Sequence, residues 1–237
     1  MRALIEAAKE LHEACSAIRN DLGPPLALTY EPLDYAWSIH EQYLSMYGGL
    51  GAKTVLLGMN PGPWGMGQTG VPFGDVTKVT GYLGLSGKVG SPLNLHPKRP
   101  VHGLACPRGE VSGTRLWTIV EDIYGSAEMA HKSIFVVNHC PLLMFDEEAR
   151  NLTPDKLTGP AARSLLGACD DHLCSVVAAL GAERVVGVGA YARRRAETAL
   201  AELDMTVDSI PHPSPASPLA NRNGGADWRA AVRLVLL

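Results

Sequence analysis

The chain has 237 residues, 46% of them hydrophobic and 19% charged, enough to enclose a full core, so one domain over residues 1–237 is expected. Its 21 lysines and arginines face 24 acidic residues, a net charge of −3, and any nucleic-acid role must therefore rest on a local basic surface. No apolar run approaches the ~18 residues of a membrane span, and five scattered cysteines without a CxxC motif support neither a disulfide framework nor a zinc site.

The opening segment carries Glu6, Lys9, Glu10 and Glu13 where a signal peptide needs an apolar stretch. It predicts an amphipathic helix with Leu4, Ala7, Ala8, Leu11, Cys15 and Ile18 on one face. An intracellular location follows as the expectation: cytoplasm or nucleoid in a bacterium, nucleus in a eukaryote. A second helical pattern runs from Leu33 to Tyr47, and a first strand from Thr54 to Gly58. Asn60 to Pro107 is irregular and rich in Gly and Pro. A helix follows from Ser112 to Tyr124, with Ser112 as its expected N-cap, then a strand from Ile134 to Asn138. The next helix covers about 161–180 and stops at Gly181. A strand over Arg184 to Gly189, a helix from Tyr191 to Leu203 and a weaker strand over Met205 to Ile210 come next. Pro211 to Gly225 is again irregular, and a helix from Asp227 to Leu236, capped by Asp227, closes the chain.

Strands rich in Val and Ile without polar alternation suit a parallel sheet covered on both faces. Their alternation with helices predicts an α/β fold, a three-layer α/β/α domain with a small central parallel sheet. Ligands of such sheets bind beyond the carboxyl ends of strands, which singles out Asn60, Asn138, Gly189 and His212.

Asn60 lies in Gly58-Met-Asn-Pro-Gly-Pro63, at the head of a stretch dense in glycine and proline. Such a stretch makes a rigid surface loop as readily as a ligand cradle. Its amide can hold a water but cannot take a proton from it. The amide of Asn138 offers donors and an acceptor in one plane, suited to reading a base edge, although an Asn closing a turn before Pro141 explains it equally well. His212 is braced by the prolines of Pro211-His-Pro-Ser-Pro-Ala-Ser-Pro218, which reduce the entropy cost of holding an imidazole in place.

Gly187-Val-Gly-Ala-Tyr-Ala192 fits the relaxed dinucleotide fingerprint GxGxxA, with Asp208 about 20 residues on. A tight turn alone also accounts for these glycines. His139 and Cys140 are adjacent on an extended segment, point to opposite sides, and make a poor nucleophile pair. His12, His40, His96, His102, His131 and His172 form no metal motif and read as surface or structural residues.

The blocks Gly58-Met-Asn-Pro-Gly-Pro63, Gly67-Gln-Thr-Gly-Val-Pro-Phe-Gly74, His96-Pro-Lys-Arg-Pro100, Glu110-Val-Ser-Gly113, Asn138-His-Cys-Pro-Leu142, Asn151-Leu-Thr-Pro154 and His212-Pro-Ser-Pro215 occur in that order. In these blocks the chain resembles the single-strand-selective monofunctional uracil-DNA glycosylases from about Tyr35 to Trp228. The resemblance implies a small parallel sheet between helices and the hydrolysis of the glycosidic bond of deoxyuridine, with single- and double-stranded DNA as substrates. It implies no cofactor, no metal, no membrane and a monomer.

By the same match Asn60 positions the water, His212 stabilises the departing base, and Asn138 reads the uracil edge. Phe73 stacks on the flipped base, and Met59 and Gly62 lie beside its C5 position. Pro215, Ala216, Leu219 and Arg222 belong to the loop that wedges into DNA. Trp64 stands where the pattern has Phe, and Ala216 where vertebrate members carry Arg. The rival expectations are a nucleotide-dependent α/β enzyme using Gly187 to Ala192 and a non-catalytic DNA-binding module.

Overall fold

The computed structural model describes residues 1–237. Helix α1 spans Arg2–Ile18 and buries Leu4, Ala7, Ala8, Leu11 and Cys15, as its pattern predicts. Strand β1 (Leu28–Tyr30) is followed by α2 (Pro32–Tyr35) and α3 (Trp37–Tyr47). The helix expected over 33–47 is thus broken at Ala36, which leaves helical geometry at φ −114° and ψ 20°.

Strand β2 (Thr54–Gly58) leads into the long irregular segment, which holds the short helix α4 (Met66–Thr69). Then come α5 (Val111–Tyr124), α6 (Ala127–His131), β3 (Ile134–Asn138), β4 (Leu143–Phe145) and β5 (Asn151–Leu152). The chain continues through α7 (Gly159–Leu180), β6 (Arg184–Val188), α8 (Ala190–Ala199), β7 (Thr206–Ile210), α9 (Pro218–Asn221) and α10 (Ala226–Leu236). No helix is long and apolar enough to cross a membrane.

Four parallel strands in the order β3-β2-β6-β7 form the central sheet of a three-layer α/β/α fold. Consecutive residues of β2 and β3 are buried, so both faces of the sheet are covered. One large core joins these strands to α1, α3, α5, α7, α8 and α10. The register sets Gly58 against Asn138 and Val188 against Ile210, so the strands end nearly flush. Order reverses beside β2, with β3 on one side and β6 on the other, and this opens a crevice at the carboxyl edge.

A second, antiparallel sheet, β1-β4-β5, has no counterpart in the sequence reading. Two of the expected caps are also displaced. Glu110, not Ser112, caps α5, accepting from the backbone N–H of Ser112 and Gly113. Gly225 stands at the N-cap of α10, and Asp227 lies in its first turn, where a negative charge suits the helix dipole. Gly181 ends α7 at φ 58°, as expected. Helix α8 stops at Ala199, short of Leu203, and Gly189 is its N-cap instead of the last strand residue.

Candidate active site

The crevice holds a cleft of about 280 Å³ whose walls include Met59, Asn60, Gly62, Phe73, Asn138, His212 and Pro215. Residues from four distant segments therefore converge on one place. The volume lies just below the ~300–1,000 Å³ of drug-sized sites, suited to a single planar ring and not a dinucleotide. A separate apolar cavity of about 20 Å³ behind Asn138 is too small for a base.

Asn60 is half-buried just past β2, and its Nδ2 donates to the Leu152 carbonyl at 3.0 Å. That bond orients the amide and leaves Oδ1 uncommitted. Asn151 Nδ2 donates to the Pro61 carbonyl at 3.1 Å, so β5 secures the Asn60 loop at two points. Asn138 is buried, and its Nδ2 donates to Met66 Sδ at 3.2 Å. A thioether is a weak acceptor, so exchanging it for a carbonyl oxygen costs little.

Phe73 adopts φ 53°, in the left-handed region that disfavours bulky residues. Strain of this kind collects at functional sites. It is held by its surroundings: Asp75 N–H donates to the Phe73 carbonyl at 2.8 Å, and Gly113 leaves that carbonyl its space. The ring lies 6.2 Å from His212, centroid to centroid. Gly58 makes this packing possible, since a Cβ there would overlap Asn138 Oδ1 and stand 2.6 Å from Phe73 Cε2.

His212 is half-buried, and its Nδ1 accepts from the Ser214 backbone N–H at 3.1 Å. An accepting Nδ1 puts the proton of the neutral ring on Nε2. Burial lowers the pKa below its ordinary value, which also favours the neutral ring. The loop around it is tied down from outside. Trp228 Nε1 donates to the Pro211 carbonyl at 2.7 Å, and Arg115 donates to the Pro213 carbonyl at 2.8 Å and to Asn221 Oδ1 at 3.0 Å. Asn221 Nδ2 in turn donates to the Pro215 carbonyl at 2.6 Å. Beyond this brace Pro215, Ala216 and Arg222 are exposed, and Leu219 is half-buried on α9.

Glu110, Ser112, Asn151, Thr153 and Ser214 also line the cleft, without a role assigned from sequence. Glu110 carries the strongest local signal, a carboxylate two and three residues before the N–H groups that it caps. Burial raises its pKa above the ordinary carboxylate value, against the lowering pull of those two N–H groups. Its backbone N–H donates to Asp75 Oδ2 at 2.8 Å, joining the Phe73 loop to α5.

The glycines of Gly187 to Ala192 have structural work. A Cβ at Gly187 would stand 2.6 Å from Arg193 Cα, so it allows α8 to pack on β6, and Gly189, at φ 92°, faces the His212 ring. This space is filled by protein, and the dinucleotide reading fails on it. His139 reaches Asp170 at 2.8 Å and the Tyr191 hydroxyl at 3.0 Å, away from the cleft, while Cys140 is buried in a separate apolar cluster. Neither forms a nucleophile pair.

The sequence profile of the uracil DNA glycosylase superfamily matches residues 45–234. A single-strand selective monofunctional uracil DNA glycosylase of Bos taurus is 45% identical over 210 residues, covering 88% of this chain and 76% of the relative. The enzyme of that name from Rattus norvegicus is 46% identical over 211 residues, with 88% and 74% covered. The solved structure of wild-type Pedobacter heparinus SMUG2 superposes over 95% of both chains with a TM-score of 0.63 at 16% identity, a likeness of fold. With the strand-end residues gathered at one cleft and nearly half of all aligned positions identical, the chain belongs to the uracil-DNA glycosylase superfamily, within its single-strand-selective monofunctional family.

Proposed function

We propose that the protein is a monofunctional DNA glycosylase that flips uracil out of a DNA strand, hydrolyses its N-glycosidic bond and leaves an abasic site for base excision repair. The observation that carries this reading is the convergence of Asn60, Phe73, Asn138 and His212 on one base-sized cleft. A base inside the stack is out of reach, so the nucleotide must leave it at a cost of a few kcal/mol. Stacking on Phe73 returns roughly 1–3 kcal/mol of that. Asn138 Oδ1 accepts from uracil N3–H and Nδ2 donates to O4, with Met66 Sδ giving up its contact.

Cleavage builds positive charge on the sugar and negative charge on the base. His212 Nε2–H donates to O2 as that charge develops, the way an oxyanion donor acts. An early-breaking bond needs a water that is placed more than one that is deprotonated, and Asn60 Oδ1 accepts from that water while Leu152 holds the other end of the amide. Met59 and Gly62 border the C5 side of the base. No lysine lines the cleft, which supports attack by water and not by an amine; Lys53 and Lys78 pair instead with Glu183 and Glu121. In this reading the protein acts as a monomer on single- and double-stranded DNA. The exposed Pro215 and Ala216, with Leu219 and Arg222, form the element that enters the vacated stack.

The test is incubation with end-labelled oligonucleotides carrying uracil, thymine or cytosine at one position, followed by alkali and a gel. Cleavage confined to the uracil strand is expected. An intact uracil strand, or equal cleavage of the cytosine strand, overturns the assignment.

A further inference from the structure

A chain of net charge −3 needs a local means of holding a polyanion. Many of the cations on its surface are committed to carboxylates: Lys78 pairs with Glu121, Arg150 with Asp146, Arg184 with Asp208 and Arg193 with Glu197. Along one rim of the cleft they are not. The Arg99 guanidinium bonds only carbonyl oxygens, with Nε 2.8 Å from that of Ala149, and Arg108 is exposed. Both lie against one ring: the guanidinium carbon of Arg108 is 4.5 Å from the Trp64 centroid and that of Arg99 is 5.8 Å away.

Trp64 directly follows Pro63 of the cleft wall, and Arg108 precedes Glu110 of that wall by two residues. The buried Gln68 fastens the arrangement, its Nε2 donating to the Pro63 carbonyl at 2.8 Å and to the Pro100 carbonyl at 2.9 Å. The segment bearing Arg99 is thereby fixed beside the one bearing Trp64. An aromatic face orders two guanidinium groups without neutralising them. An ordered guanidinium with no carboxylate partner suits the planar, bidentate geometry of a phosphate.

We propose that Arg99, Trp64 and Arg108 form a phosphate-binding clamp for the DNA backbone next to the flipped nucleotide. The clamp rests on the glycosylase reading for its place in catalysis. Its contacts are to phosphodiester oxygens, though, so it engages a strand with or without uracil.

The experiment measures affinity for two fluorescent single strands, one with a non-hydrolysable deoxyuridine analogue and one with thymidine, over a salt series. Arg108→Gln is expected to weaken both about tenfold at low salt and to reduce the slope of log K against log salt by about 0.7. Trp64→Ala should weaken both strands and Trp64→Phe should restore most of the loss. Lys132→Gln, which removes an equal charge paired with Glu128 on α6, should leave the slope unchanged. An unchanged slope in Arg108→Gln, or an equal change in Lys132→Gln, overturns the clamp. Loss on the uracil analogue alone also overturns it, by assigning these residues to the base. Failure of the wild-type protein to excise uracil overturns the glycosylase reading, while the thymidine arm still decides the clamp.

Discussion

Adding one methyl group at Gly58 should disable the cleft while leaving the fold standing. Gly58 ends β2 in register with Asn138, and β2 is paired with β3 and β6 on its two sides, so the backbone has no free direction to move. An alanine Cβ would overlap Asn138 Oδ1 and lie 2.6 Å from Phe73 Cε2 and 3.0 Å from Phe73 Cζ. Relaxed carbon contacts are ~3.5–4.0 Å, so the phenyl ring must retreat by about 1 Å and the amide must rotate away. Displacement of that size at a reacting centre costs on the order of 10²-fold in rate. The accompanying overpacking costs about 1–3 kcal/mol of stability, a drop of roughly 2–12 °C in Tm for a chain of this length. The assay is single-turnover excision of a labelled single-stranded uracil oligonucleotide, with a thermal melt of the same preparation. Gly81→Ala is the control, because a Cβ there meets nothing within 4 Å. Excision by Gly58→Ala within threefold of wild type would refute the claim that this close approach positions the base-reading residues.

Asn60→Ala and His212→Ala should each slow single-turnover excision by roughly 10²-fold or more while uracil-DNA binding survives; near-normal rates in both would remove them from the chemistry. Leu219→Ala and Arg222→Ala should slow excision from duplex more than from single strands, since only a duplex demands unstacking, and Ala216→Arg should favour duplex. The duplex-to-single-strand rate ratio at fixed salt decides this, and an unchanged ratio in all three excludes the loop as the wedge. Burial holds His40 and His131 neutral with pKa values of about 4, against 6.5 for the ordinary group. Below pH 6.5 the unfolded chain therefore binds more protons, and stability should fall as pH drops towards 4, by on the order of 3 kcal/mol per imidazole at the lower end. Urea midpoints between pH 7.5 and 4 measure it, and a midpoint constant over that range contradicts the burial of these rings.

The legible part of the site is the part encoded locally. Thr54–Gly58, Ile134–Asn138 and Arg184–Val188 announce themselves as unbroken apolar runs, and in a parallel sheet the residue after such a run faces the ligand crevice. Asn60 and Asn138 were therefore recoverable as strand-end residues, and His212 as the residue beyond the weaker strand that ends at Ile210, with their roles coming from the family motifs. The nucleotide alternative arose from the same local logic, because a glycine needed for helix packing and one needed beside a ligand look alike in sequence.

What the sequence by itself determined is thus the parallel α/β framework and the positions where it would place chemistry, since both follow from short-range periodicity. Only the tertiary structure decided how those positions are held. The β1-β4-β5 sheet consists of strands of two or three residues, too short to show a period, and β1 finds β4 across more than a hundred residues, with Leu28 opposite Phe145. That sheet carries the Leu152 carbonyl that orients Asn60. The same holds for the cap of α5, where Glu110 wins over Ser112 because its longer side chain reaches two N–H groups while its backbone is fixed by Asp75. It also holds for Gly58, whose missing side chain matters only because Asn138 and Phe73, distant in sequence, arrive on either side of it. The β1–β4 pairing, the Asp75 contact that fixes the Glu110 backbone and the close approach at Gly58 each join segments far apart in the chain, chosen by packing, and no local pattern of residues carries them.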